Sequence, residues 1–300
     1  HPNAGGTGYY RFSVDEAGWG RLVEAAADLD AAEALVFGDS LDAAFRAGRL
    51  SPERLLGGLA QLAGHPAWDV VEQSIEVFEG VYGELLIGTP AQAAAQRLGR
   101  AWFRPRYENL ERAASPDELL LRRALLRFLA VVAEDEALRA ELRPQAERYV
   151  GLSGEPDPGA VDPNLLETAL TVGVQESGRA FIDRLAALLA RTKDPAVRSA
   201  AAGALGRTED PEARQALLAD VLEERFPVQA GLQIVLRQLN RPSSREATFA
   251  WLEANAAEVF ELVPGTFRSN VAGLGDVFCS REKAGAWEAL VERHADLLPG

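Results

Sequence analysis

A short oxygen-bearing side chain precedes proline at Ser51-Pro52, Ser115-Pro116, Asp162-Pro163, Asp194-Pro195 and Asp210-Pro211. Ser or Asp at an N-cap accepts the orphan amides of the first turn, and proline at the first helical position gives up a bond the helix would not have made there. A chain punctuated this way is committed to a succession of short helices. The apolar spacing agrees, since from Glu16 onward it follows the helical period of about 3.6. Leu121, Ala124, Leu125, Phe128, Leu129 and Val132 make one stripe, with Arg122, Arg123 and Arg127 opposite. Phe181, Ile182, Leu185, Leu188 and Leu189 make a second, and Val228, Leu232, Val235, Leu236 and Leu239 a third. Each reads as an amphipathic helix.

The segments opened by Asp194-Pro195 and Asp210-Pro211 are separated by one helix and a tight turn. Successive antiparallel helices of that length predict an all-α fold, a HEAT/armadillo-like α-α superhelix of helix pairs. Gly151 to Pro163, with three Pro and three Gly, cannot be helical for most of its length, so the main joint is placed there. The expected division is residues 1–15, a first helical half 16–150, a linker 151–163 and a second half 164–300 of one superhelix. Gly8 to Val14 differs: Tyr10, Phe12 and Val14 alternate with Tyr9, Arg11 and Ser13, the period of a strand. A lone strand cannot satisfy its own backbone, so its partners are expected in sequence beyond this chain, or else it packs as an added edge. The absence of Met, even at the first position, likewise reads as a processed or excised piece.

Composition narrows the function. With 47% hydrophobic residues among 300, the chain can build a proper core, and disorder is excluded. Its 31 basic against 45 acidic side chains leave a charge of −14, which argues against nucleic acid and against an anionic membrane as partners. No apolar run fits a signal peptide or a membrane span. Lys193 and Lys283 are the only lysines, and the Arg- and Ala-rich remainder points to a bacterial protein, expected in the cytoplasm with periplasm or secretion left open.

Catalytic chemistry is missing from the residue patterns. His1, His65 and His294 form no H-E-x-x-H and no helical pair, so no metal site is expected in this segment. Cys279, the only cysteine, has no local histidine to activate it and is expected as a small buried hydrophobe. There is no nucleophile elbow, and Gly5-Gly6-Thr7-Gly8 precedes a strand-like segment instead of joining a strand to a helix, so it reads as a turn.

The stretch Asn3-Ala4-Gly5-Gly6-Thr7-Gly8-Tyr9-Tyr10-Arg11-Phe12, closed by Asp15, resembles the N-x-G-x-x-G-Y-Y-R-V…Y-D signature of the aminopeptidase N family of zinc metallopeptidases, the gluzincins. In that family the signature marks the last strand of a small β-sandwich, directly before a C-terminal helical domain related to that of the ER aminopeptidases. Val161-Asp162-Pro163-Asn164-Leu165 is similar to the family's loop before its second helical half. Arg198, Asp210-Pro211, Gln229, Asn240 and Trp251-Leu252-Glu253-Ala254-Asn255 resemble its R…D-P…Q-D…N…W-x-F-L-x-x-N progression, and Phe278-Cys279-Ser280 its closing F-S. Two departures stand out: Ala230 replaces the Asp that many members carry after the Gln, and Ala67-Trp68-Asp69 matches a Tyr-x-x-Trp region only loosely.

The resemblance implies a parent aminopeptidase whose zinc, bound by H-E-x-x-H and a downstream Glu, lies in an upstream catalytic domain. This segment is then a noncatalytic C-terminal domain, without a cofactor of its own. It caps the active-site chamber and helps bind peptide substrates, and its partners are the upstream catalytic and β-sandwich domains. A solenoid's concave face suits that task, and arginines can grip a peptide carboxylate bidentately. Gln229, Asn240 and Arg245 are the expected substrate-binding residues; Trp251 belongs either to the groove or, in the favoured reading, to the core. Asn3, Gly8, Tyr9, Tyr10 and Arg11 are expected to secure the domain joint. The alternative is an independent HEAT-like scaffold for protein–protein interaction.

Overall fold

The computed structural model describes residues 2–8, 10–110, 115–263, 265–278 and 280–298. Among these, every regular element is helical, with fifteen α-helices and no strand. The chain gathers into two compact units, His1–Leu138 and Arg139–Gly300.

The first unit holds α1 (Glu16–Ala25), α2 (Ala31–Arg46), α3 (Pro52–Ala63), α4 (Trp68–Val81), α5 (Gln92–Asn109) and α6 (Pro116–Val131). Helices α2, α4 and α6 pack in one row and α1, α3 and α5 in another, with α3 and α5 laid against the first row. Within the unit this is the two-layered ladder of helix pairs that the helix lengths predict. The predicted starts hold at residue level: Ser51 accepts from the Arg54 amide, and Ser115 forms a reciprocal capping box with Glu118. In the core, the rings of Phe78, Phe103 and Phe128 meet edge to face, with Phe103 and Phe128 centroids 4.9 Å apart. Gly99 admits the Phe128 ring, because a Cβ there would stand 2.9 Å from it. Burying each such side chain contributes about 1.5–3 kcal/mol.

The strand expected over Gly8 to Val14 is not formed among the described residues. Tyr10 to Val14 keeps the alternation, with Phe12 and Val14 half-buried and Arg11 and Ser13 exposed, but has no neighbouring backbone to ladder with. Side chains hold the segment instead. Arg11 pairs with Asp39 at 2.7 Å, Ser40 Oγ accepts from the Phe12 amide, and the Phe12 ring stacks on the buried Trp19.

The chain continues with α7 (Glu136–Val150), whose first turn carries the boundary between the units. It ends in a left-handed Gly151 (φ +70°), where the Leu152 amide donates to Glu147 O and the Gly151 amide to Arg148 O. This is the paired C-terminal motif that glycine makes possible, and it starts the Pro- and Gly-rich loop. Asp162 then caps a short 3-10 turn, Pro163–Leu165, that runs into α8 (Leu166–Glu176).

The second unit goes on through α9 (Gly178–Arg191), α10 (Pro195–Leu205), α11 (Pro211–Leu222), α12 (Val228–Leu239), α13 (Pro242–Ala254), α14 (Ala256–Leu262) and α15 (Arg281–Arg293). Helices α8, α10 and α12 form one row, and α9 and α11 lie against it. Ala200, Ala201, Ala202, Gly203 and Ala204 make α10 thin, so its neighbours approach closely. A Cβ on Gly203 would meet Glu167 Oε1 at 2.6 Å, and one on Gly206 would meet the Arg237 Cβ at 2.5 Å. On α13, Phe249 meets Phe278 edge to face (4.8 Å) and leans on Trp287 of α15. No helix among the described residues is long and apolar enough to cross a membrane.

Candidate functional site

Helices α10 and α12 are neighbours in one row, and both open on a proline-marked N-terminus. Between these ends lies a cleft of about 400 Å³, lined by Pro195, Arg198 and Ser199 from α10 and by Pro227, Val228, Gln229, Ala230 and Gln233 from the start of α12. The two ends differ chemically. Asp194 caps α10, its carboxylate accepting from the Ala196 and Val197 amides. Pro227 precedes α12 with no side-chain acceptor, so the first amides of that helix, Val228 and Gln229, are left uncapped. Both helix dipoles direct positive ends to this place.

Arg198 donates from Nη2 to the Lys193 carbonyl at 2.8 Å, while its buried Nε has no acceptor. Gln233 reaches across to α10, its Nε2 donating to Ser199 O at 3.3 Å. Gln229 is exposed at the rim, and Ala230 is buried in the wall. No Asp, Glu, His, Cys, Lys or Tyr lines the cleft. Ser199 therefore has no general base among the residues that line the cleft.

The residues expected from the sequence divide between the two ends of α12. Gln229 lines the cleft, whereas Asn240 lies at the opposite end, roughly 16 Å away by helical rise. Asn240 and Arg245 are brought together there. The Asn240 Nδ2 donates to Leu236 O at 2.8 Å, and Arg245 donates to Leu239 O at 3.2 Å and to Asn240 O at 3.3 Å. The guanidinium thus satisfies the last carbonyls of α12 at its negative end. Trp251 is half-buried on α13, its carbonyl accepting from Asn255 Nδ2. Arg198 stood in the sequence as part of a family-like progression without a site role. Val228 stood in the sequence only as part of an apolar helical stripe, and Ser199, Pro227 and Gln233 carried no signal.

The N-terminal motif has a local physical role. Asn3, only 3% exposed, closes a loop on Gly8, its Nδ2 donating to Gly8 O and its Oδ1 accepting from the Gly8 amide at 2.9 Å. Gly5 and Gly6 adopt φ of +70° and +62°, and the Gly5 amide donates to Glu33 on α2. A Cβ on Gly6 would stand 2.7 Å from Ala32, so the segment lies flat on α2 only as glycine. Tyr10 is exposed, its hydroxyl donating to the Pro2 carbonyl. Tyr9, Cys279 and His1 lie outside the described residues. Buried His65 accepts from the Ala67 amide through Nδ1 and meets Leu29 O through Nε2, tying the turn between α3 and α4. His294 ends α15 and packs edge-on to Phe260.

The described residues fold into an all-helical repeat, and its α10–α12 cleft is lined by four apolar and four polar side chains. A family model, ERAP1-like C-terminal domain, matches residues 1–300, and the chain belongs to that family. It is accordingly a noncatalytic domain of the aminopeptidase type. Comparison with curated proteins gives no match.

Proposed function

We infer that this chain covers the active-site chamber of an aminopeptidase and helps to hold the peptide whose N-terminal residue is removed. The family match across residues 1–300 carries the reading. The α10–α12 cleft supports it, because glutamine amides and an arginine with free donors suit the alternating carbonyls and amides of an extended peptide.

Zinc-activated water and its glutamate base belong, in this reading, to an upstream catalytic domain that works with this one. Among the described residues, no group of three or more His, Cys, Asp or Glu side chains could hold a metal ion. The described residues do not gather the ligands that zinc takes, and this reading places no zinc-dependent step in them.

The test compares this chain alone with the polypeptide that continues it upstream, using leucyl anilide turnover and zinc content. Turnover and zinc confined to the longer protein support the covering role. Turnover by the chain alone, or neither property in either protein, overturns it, the second result in favour of an independent protein-binding scaffold.

A further inference from the structure

The end of α12 carries buried polar atoms that the fold leaves unsatisfied. Gln238 is fully buried, and neither its Oε1 nor its Nε2 has a hydrogen-bond partner among the described residues. Three residues on, the buried Nε of Arg241 also lacks one, while Arg241 Nη2 pairs with Glu209 at 2.5 Å. Backbone groups tie this turn to α13. The Gln238 carbonyl accepts from the Arg241 amide at 3.3 Å and from Ser244 Oγ at 2.6 Å. Ser244 and Thr248 are themselves buried, one turn apart on α13, and Thr248 Oγ1 donates to Ser244 O at 2.9 Å. Each hydroxyl commits its only proton to a carbonyl, so what it can still offer is a lone pair.

An amide held out of water with both ends unbonded is costly. The rest of the buried face of α12, with Ile234, Val235 and Leu239, is apolar and cannot offset that cost. What Gln238 lacks is a partner that donates to Oε1 and also accepts from Nε2. An anion does only the second, and the charge of Arg241 is already met by Glu209. Water does both.

We propose that a bound water molecule, held by Gln238, stabilises the junction between α12 and α13. The water donates one proton to Gln238 Oε1, accepts from Gln238 Nε2 and gives its other proton to a lone pair of the Ser244 or Thr248 hydroxyl. That makes about 3 hydrogen bonds, the number a buried water typically forms. The junction is then a hydrated polar seam inside an otherwise apolar packing of helices, and the covering role neither requires it nor depends on it.

A crystal structure of the 300-residue chain, at a resolution that shows ordered water, tests the site directly. A water about 3 Å from both Gln238 Oε1 and Gln238 Nε2 is expected. An amide bonded directly to protein groups, or one packed with no water beside it, overturns the proposal. Gln238→Met tests the stabilising role, because it keeps the length of the side chain and removes both polar atoms. With the water in place, the change strands the water's remaining partners, and the thermal midpoint is expected to fall by about 2–4 °C. In a dry core the same change removes two orphaned atoms and raises the midpoint, so an unchanged or raised midpoint overturns the proposal. If Gln238→Met does not fold, the structure of the unsubstituted chain decides alone.

Discussion

Asn3 shows how much one side chain decides. Its amide satisfies both backbone groups of Gly8, and without it a part-buried loop loses two hydrogen bonds. Asn3→Ala is expected to lower stability by about 1–3 kcal/mol, read from urea unfolding. An unchanged midpoint would remove the clamp as the reason for this asparagine. The Asn3–Gly8 clamp is local, five residues apart, whereas Gly5 and Arg11 of the same motif reach Glu33 and Asp39 on α2, 28 residues on. The unpartnered Nε of Arg198 was not legible in the sequence, because the groups that face it depend on where α12 lies beside α10. Glu72 on α4 makes a pH prediction. Desolvation raises its carboxyl above the ordinary value of 4.5; Glu76 and Asp69 add to the rise, and Arg127 and Arg123 oppose it. A carboxyl raised in the folded state contributes stability below its ordinary value and loses that contribution as pH climbs through the raised one. Glu72→Gln is therefore expected to stabilise the protein at pH 7, with the gain disappearing below pH of about 4. Melts at the two pH values check this, and a gain of equal size at both would refute it.

At the scale of the element, caps and close approaches do different work. Asp210 holds the start of α11 by accepting from the Glu212 and Ala213 amides at 2.9 and 3.1 Å. Asp210→Ala is expected to cost about 1 kcal/mol, with Pro211 keeping the boundary in place. Gly99 plays the opposite part, since it stabilises by leaving space. Gly99→Ala pushes a Cβ toward the Phe128 ring, where the surrounding aromatic cluster gives it little room to move. Overpacking of that kind is expected to cost about 1–3 kcal/mol, although alanine is the better helix former. Thermal unfolding of the two variants distinguishes the causes. A stabilised Gly99→Ala would mean that helix propensity outweighs packing at α5. The helices themselves were readable because caps, prolines and apolar spacing act within one or two turns. The close approaches between helices were not, because Gly173 admitting the Phe181 ring is a contact between α8 and α9 that no spacing within either helix announces.

For the whole molecule, the balance of 31 basic and 45 acidic side chains sets the background field. Many of the ion pairs are exposed, such as Arg11–Asp39 and Arg46–Glu84, and pairs of this kind add about 0–1 kcal/mol each. Repulsion among the excess acids is the larger long-range effect, and salt weakens it. The thermal midpoint is therefore expected to rise between low and physiological salt, as calorimetry at a series of NaCl concentrations would show. A falling midpoint would give the ion pairs the larger share. Binding to duplex DNA is expected to be absent at either salt concentration.

The sequence by itself determined the all-helical architecture, the placement of caps such as Ser115 and Asp210, the family, and the Asn3 to Arg11 motif. All of these rest on contacts between residues close along the chain or on a pattern the chain carries openly. Only the tertiary structure decided that Gln229 and Asn240 stand at opposite ends of α12, and that Arg245 serves a helix C-terminus. It also decided which side chains pin Tyr10 to Val14 within this chain and left the buried Nε of Arg198 without an acceptor. The physical reason is the same in each case. Whether a polar group is satisfied depends on what other elements bring to it, and that is a property of packing.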